Sequence, residues 1–154
     1  MQPIIRSIVY VSRAIKHFSL NELSQLMAHA RSLNIAEDIS GVLFYHDGIF
    51  LQLLEGAPQA VQTLMTRIRA DSRHEAVLIL VDSQHAHAKL FPDWRMGFYH
   101  LSSIERVIGP ALIENDTQAL DAALTAAAPD NAAANLLATF WQANRQHVNR
   151  SRKP

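Results

Sequence analysis

The 154-residue sequence contains no cysteine, so it forms neither a disulfide nor a thiolate centre, a composition compatible with a reducing compartment. It has no excess of either charge. Fourteen Lys and Arg balance fourteen Asp and Glu, which removes a global electrostatic argument for nucleic acid or an anionic membrane. Only the last stretch, "NRQHVNRSRKP", is basic, as a solvated, frayed end would be. No apolar run reaches bilayer-spanning length, and the one in "MQPIIRSIVYVS" is too short for a signal peptide. The expectation is a soluble, cytoplasmic protein with neither a nucleic-acid nor a membrane partner. Also missing are a Gly-x-Gly-x-x-Gly fingerprint, a phosphate-binding loop with Lys-Ser/Thr and a nucleophile elbow. Eight histidines raise the question of a metal, but His85 and His87 alone have a suggestive i, i+2 spacing, with no third ligand to join them. His46 and Asp47 are adjacent in a tight turn, where a relay rarely forms, and Glu55 before Gly56 reads as an acceptor for a turn or helix start. No enzyme site and no metal site are expected.

The length fits one domain with a terminal extension. "RSIVYVSRA" is a β-branched early strand. "FSLNELSQLMAHARSLN" opens with Ser19 and Glu22 in capping-box spacing and repeats Leu20, Leu23, Leu26, Met27 and Ala30 with helical period. "ISGVLFYHDGIFLQLLEG" reads as two strands around an Asp47-Gly48 hairpin turn. "APQAVQTLMTRIRAD" gathers Val61, Leu64, Met65 and Ile68 on one helical face after Pro58. "EAVLILVDS" and "RMGFYH" supply two further strands. The order β-α-β-β-α-β-β predicts an α+β, ferredoxin-like sheet, mostly antiparallel, with two helices on one face.

After Ser102 the chain turns helical and alanine-rich, with a second capping box at Ser102 and Glu105, then helices over Ala119–Ala127 and from Ala132 to about His147. Leu136, Leu137, Phe140 and Trp141 form a stripe that either covers the open sheet face or pairs protomers. The expected division is a domain over residues 1–100, a helical extension over 101–148, and a disordered tail over 149–154.

Three polar residues sit in apolar settings: Tyr10 in "IVYVS", Asn34 after the first helix and Gln52 in "IFLQLLEG". Taken singly, Tyr10 reads as a core aromatic and Asn34 as a helix C-cap. A buried amide left unsatisfied costs about 1–3 kcal/mol, so Gln52 demands a partner. First and third strands are central neighbours in a ferredoxin-like sheet, so Tyr10 and Gln52 approach each other under the two helices. With a second amide nearby, they suit a planar heteroaromatic ligand bearing carbonyl and imine acceptors.

From about Ile5 to Gly97 the sequence resembles the BLUF family, blue-light sensors using flavin. The likeness runs in order through "IVYVS", "ARSLNIAEDISGVLFYHDGIFLQLLEG", "RIRADSRH" and "FPDWRMG". The resemblance implies a ferredoxin-like fold and a non-covalent flavin between the helices, FAD or else FMN. It implies that Tyr10 is the redox-active tyrosine, Gln52 the switching glutamine and Asn34 the contact to the ring's carbonyl edge. Leu26 and Ile68 match the clamps on the ring faces, and Asp71, Arg73 and His74 a flavin-edge motif. Trp94 and Met96 match the family's signalling pair, without a choice between them. Ala30 and Leu33 stand where other members can carry polar side chains. Blue light would drive electron and proton loss from Tyr10, and Gln52 would then rotate or tautomerise. Output would leave through the last strand and the C-terminal helices to a separate downstream signalling protein, from a homo-oligomer. The rival readings are a small hydrolase on the same layout, for which no nucleophile is found, and a flavin-free interaction module.

Overall fold

A computed structural model describes residues 3–100, 117–127 and 131–150 of the chain. The elements are β1 (Ile5–Ala14), α1 (Leu20–Ala36), β2 (Ser40–His46), β3 (Ile49–Gly56), α2 (Pro58–Ala70), β4 (His74–His85), β5 (Gly97–His100), α3 (Thr117–Ala127) and α4 (Ala132–Arg150). Local chemistry accounts for most of their boundaries. At the start of α1, Ser19 Oγ accepts from the Glu22 amide at 3.1 Å while the Glu22 carboxylate accepts from the Ser19 amide at 3.2 Å. Such a cap stabilises a helix by about 1 kcal/mol. Pro58 opens α2, where its missing N–H costs nothing. Asp47 and Gly48 both have positive φ, as a two-residue I′ hairpin loop requires, and they join β2 to β3 in register.

The sheet order is β4-β1-β3-β2-β5. β1 pairs antiparallel with β3 and β4, β2 antiparallel with β3, and β5 parallel with β2. This is the expected ferredoxin-like arrangement, with β3 at the centre and one parallel strand added at the edge. Gly41 in β2 is a steric necessity, because a Cβ there would stand 1.9 Å from the Leu53 carbonyl oxygen.

Two cores lie on opposite faces of the sheet. Under α1 and α2, Ile8, Tyr10, Leu43, Tyr45, Phe50 and Leu54 meet Leu23, Met27, Val61 and Met65. On the other face, Val9, Val42, Phe44, Leu51 and Leu53 meet Leu120, Leu124, Leu137 and Trp141 of α3 and α4. Of the stripe's two alternatives, the described packing places Leu137 and Trp141 against the sheet.

Several boundaries differ from expectation. α1 continues through Asn34 to Ala36, so Asn34 lies inside the last turn and is not the C-cap, a position taken by Glu37. The last strand starts at Gly97, two residues after the start expected from "RMGFYH". The apolar run of β4 occupies the free edge, paired only with β1, and Leu78 is 59% and Leu80 43% exposed there. The helix expected after Ser102, with its Ser102–Glu105 cap, lies outside the described residues, as does 151–154, while α4 extends to Arg150. No described helix is long and apolar enough to cross a membrane.

Candidate functional site

Alternation along β1 and β3 turns Tyr10 and Gln52 to the helix-covered face, and the antiparallel register sets them directly opposite each other. Tyr10 Oη donates to Gln52 Oε1, and Gln52 Nε2 lies 3.3 Å from Met96 Sδ as a donor. Phenol, amide and thioether are all buried. Burial, with the Asp71 carboxylate nearby as a lesser cause, raises the Tyr10 pKa well above that of a free phenol, so its proton stays on at neutral pH.

The same register brings Leu43 of β2 opposite Gln52, and above these strands α1 and α2 part to leave a cavity of about 500 Å³. Leu26 and Leu33 of α1 and Leu64 and Ile68 of α2 supply apolar wall. The polar lining is Tyr10 and Gln52 on the sheet, His29 and Asn34 of α1, Arg67 of α2, and Asp71, Arg73 and His74 after α2. Asn34 is buried, and its Nδ2 donates to the Arg95 carbonyl at 2.5 Å. One Nδ2 hydrogen and the Oδ1 acceptor remain for a ligand. Asp71 and Arg73 pair at 2.5 Å, which lowers the Asp71 pKa and raises that of Arg73. His74 bridges Ser12 Oγ at 2.8 Å and the Ile68 carbonyl at 2.5 Å. A carbonyl only accepts, so His74 Nε2 carries a proton, and the ring ties β1 to the end of α2.

The structure therefore gathers Tyr10, Leu26, Asn34, Gln52, Ile68, Asp71, Arg73 and His74 around one cavity. It separates the other two candidates. Met96 reaches Gln52, whereas Trp94 lies on the opposite face, stacked on Phe91 at 4.6 Å between ring centres. Sequence reasoning missed His29, Leu43, Phe50, Leu64 and Arg67 in the lining. Counting back from the Asp47-Gly48 turn would have found Leu43 and Phe50. Glu55 is an acceptor beside a turn, that of Phe91–Trp94, and not at the start of α2. Its buried carboxylate accepts from the Leu90 and Phe91 amides at 2.8 and 3.1 Å, and no side chain caps α2. Burial raises its pKa, against the pull of these two amides and of Lys89. His85 and His87 stack at 5.7 Å, and among the described residues no group of three or more His, Asp or Glu side chains could hold a metal.

A five-stranded sheet with a mostly apolar cavity between two helices and a buried phenol–amide pair on its floor defines a small-ligand-binding module. The family described as BLUF, sensors of blue-light using FAD, matches residues 5–97. That is more than half of the chain, and the chain belongs to this family of flavin-binding blue-light sensors. The photoactivated adenylate cyclase subunit beta of Euglena gracilis is 38% identical over 73 residues, covering 47% of this chain and 8% of that protein. The alpha subunit of Euglena gracilis is 29% identical over 104 residues, covering 66% of this chain and 10% of that protein. The chain thus spans a tenth or less of these relatives. Among solved structures, the dark state of BlrB, a BLUF protein, aligns with a TM-score of 0.61 and 29% identity, covering 73% of this chain and 83% of that one. The ground state of BlsA aligns at 0.60 with 26% identity, covering 79% and 85%.

Proposed function

We propose that this chain is a blue-light photoreceptor without turnover, in which Tyr10, Gln52 and Met96 form the switch. The observation that carries this reading is the continuous chain Tyr10 Oη–H to Gln52 Oε1 and Gln52 Nε2–H to Met96 Sδ along the cavity floor. The donor set fits an isoalloxazine: amide donors and acceptors at one end, aliphatic walls on either side, and a volume within the usual range of cofactor sites, roughly 300–1,000 Å³. Leu26 and Ile68 would hold the ring faces, Asn34 and Gln52 its polar edge, and Asp71, Arg73 and His74 the end beneath α2. FAD is the preferred flavin, with FMN the alternative. When bound, the flavin supplies a blue-absorbing ring whose excited state is a strong one-electron oxidant.

Tyr10 would supply the electron to the excited ring and receive it back, and the hydrogen bond from its Oη to Gln52 would set the path of its proton. The return of both would leave the Gln52 amide turned, with Nε2 toward Tyr10 and Oε1 toward Met96. The Met96 thioether has no proton to give, so the former donor contact becomes an acceptor facing an acceptor. In a buried network such a mismatch is costly, and Met96 must shift. Met96 directly precedes β5, which passes the change toward the C-terminal helices, and these act on a separate downstream protein or on a second copy. A flavin-free interaction module on the same fold is the alternative.

Absorption spectra of purified protein supplied with FAD test the reading. Yellow protein whose band moves slightly red under blue light and recovers in darkness is the expected result. A Tyr10→Phe variant should stay yellow and lose the reversible shift, because it lacks the electron and proton donor. Colourless protein that takes up no flavin would establish the interaction module instead. Amide hydrogen exchange should also differ between dark and light in residues 94–100, α3 and α4. Identical exchange there in both states would rule out this output route.

A further inference from the structure

β4 and β5 lie at opposite edges of the sheet, so residues 86–96 between them must cross the ends of β1, β3 and β2. The crossing is pinned at both ends and in the middle. At one end His85 Nε2 meets Ser7 Oγ of β1 at 2.8 Å. At the other end the Trp94 carbonyl accepts from the Gly41 amide at 2.9 Å, and Asn34 and Arg31 of α1 donate to the carbonyls of Arg95 and Met96. In the middle, Lys89 donates to the Asp38 carbonyl at 2.7 Å and stands 3.7 Å from the exposed Asp38 carboxylate, which Arg95 meets at 2.9 Å from the far end. Exposed ion pairs of this kind contribute little. The remaining contact is different in kind. Glu55 is fully buried, and both its carboxylate oxygens are used, one on the Leu90 amide and one on the Phe91 amide. Charge-assisted bonds of this type are roughly twice as strong as neutral ones. Phe91, which Glu55 holds, stacks on Trp94, two residues before Met96.

We propose that Glu55 anchors the crossing segment and thereby positions Met96 against Gln52, which makes it a positioning residue of the switch. The proposal rests on the reading of Gln52 and Met96 given above. It joins the two sheet faces through one strand: Gln52 of β3 touches Met96 on the helix side, and Glu55, three residues on, holds on the opposite face the segment that delivers Met96. A shift of Met96 must then be taken up in a segment held by Glu55 on one side, by the β2–β5 pairing on the other, and by the bonds of Gly41, Asn34 and Arg31 to the carbonyls of Trp94, Arg95 and Met96 between them.

Glu55→Gln is the direct test. A carboxamide offers one oxygen acceptor, and its NH2 meets the second backbone N–H donor to donor. In the full chain without added flavin, exchange at the Leu90 and Phe91 amides should accelerate by roughly tenfold, the effect of losing one bond to a charged group. In flavin-loaded protein, dark recovery of the red-shifted band should change by a similar factor of roughly ten. In a Met96→Leu background the same substitution should leave recovery unaltered, since two residues acting through one contact are not additive. Equal changes in both backgrounds, or none in either, overturn the positioning role, and unchanged exchange at Leu90 and Phe91 overturns the anchor. If Glu55→Gln does not fold, Glu55→Asp keeps the charge, shortens the reach and is judged by the same two comparisons. A wild-type protein that binds flavin but shows no red shift defeats the switch reading and the positioning role with it. The exchange measurement still decides whether Glu55 is the anchor.

Discussion

A Gln52→Leu protein is expected to bind flavin, remain yellow and show no light-induced red shift. Leucine is close to glutamine in size and suits the surrounding Leu43, Phe50 and Leu64, so the cavity keeps its shape. What disappears is both of the hydrogen bonds on the cavity floor, to Tyr10 and to Met96. Tyr10 keeps its buried hydroxyl without that acceptor, at a cost of about 1–3 kcal/mol, partly offset by the apolar gain at position 52. The protein therefore melts at a slightly lower temperature while losing its photoresponse completely. This disproportion is the diagnostic result, because a residue that merely packed would lose stability and signal together. Light-minus-dark difference spectra of the variant beside wild type read it directly. A normal, reversible shift in Gln52→Leu would show that the switch lies elsewhere.

The central pair of this site was legible from strand order and register, whereas Leu26, Ile68, Asp71, Arg73 and His74 came, as site residues, from the family resemblance alone. The Asp47-Gly48 turn sets the β2–β3 register, so Leu43 falls opposite Gln52 by counting alone. Tyr10 and Gln52 meet because a ferredoxin-like order makes β1 and β3 neighbours. The capping box of Ser19 and Glu22 and the apolar period of α2 place the two helices above that pair in the same way. Trp94 and Met96 were harder for a physical reason. Two residues apart on a strand, they would share a face, but β5 begins only at Gly97. The segment before it crosses the sheet end in an irregular path, and period two gives no guide to which of them points inward. Glu55 was equally opaque, since its donors lie 35 and 36 residues away and are backbone amides, which no side-chain pattern reveals. The exposed apolar edge of β4 reflects topology: a continuous apolar run says that a strand forms, whereas its partner count decides how much of it water sees.

A Phe44→Ala substitution should produce the largest loss of stability, and it separates the two faces of the sheet. Phe44 is fully buried in β2 on the side away from the cavity. Its ring lies 5.6 Å from that of Tyr99, 5.7 Å from Phe140 and 6.1 Å from Trp141, so one side chain joins β2, β5 and α4. Truncating a buried Phe to Ala costs about 3–5 kcal/mol, a large share of the roughly 5–15 kcal/mol that a domain has in total. For a chain of this size each 1 kcal/mol lowers Tm by about 2–4 °C, so a drop of roughly 6–20 °C is expected in thermal unfolding. Below the new Tm the cavity walls are untouched, because Leu26, Leu64 and Ile68 belong to the opposite core or line the cavity beside it. Flavin affinity and the light-induced red shift should therefore survive at low temperature. Protection of the α4 amides against hydrogen exchange should fall, and its difference between dark and light should shrink, since the proposed path from β5 to α4 would run through this cluster. A variant that loses flavin as readily as it loses α4 protection would mean that the two cores are one cooperative unit, and that the C-terminal helices support the cavity instead of reporting on it.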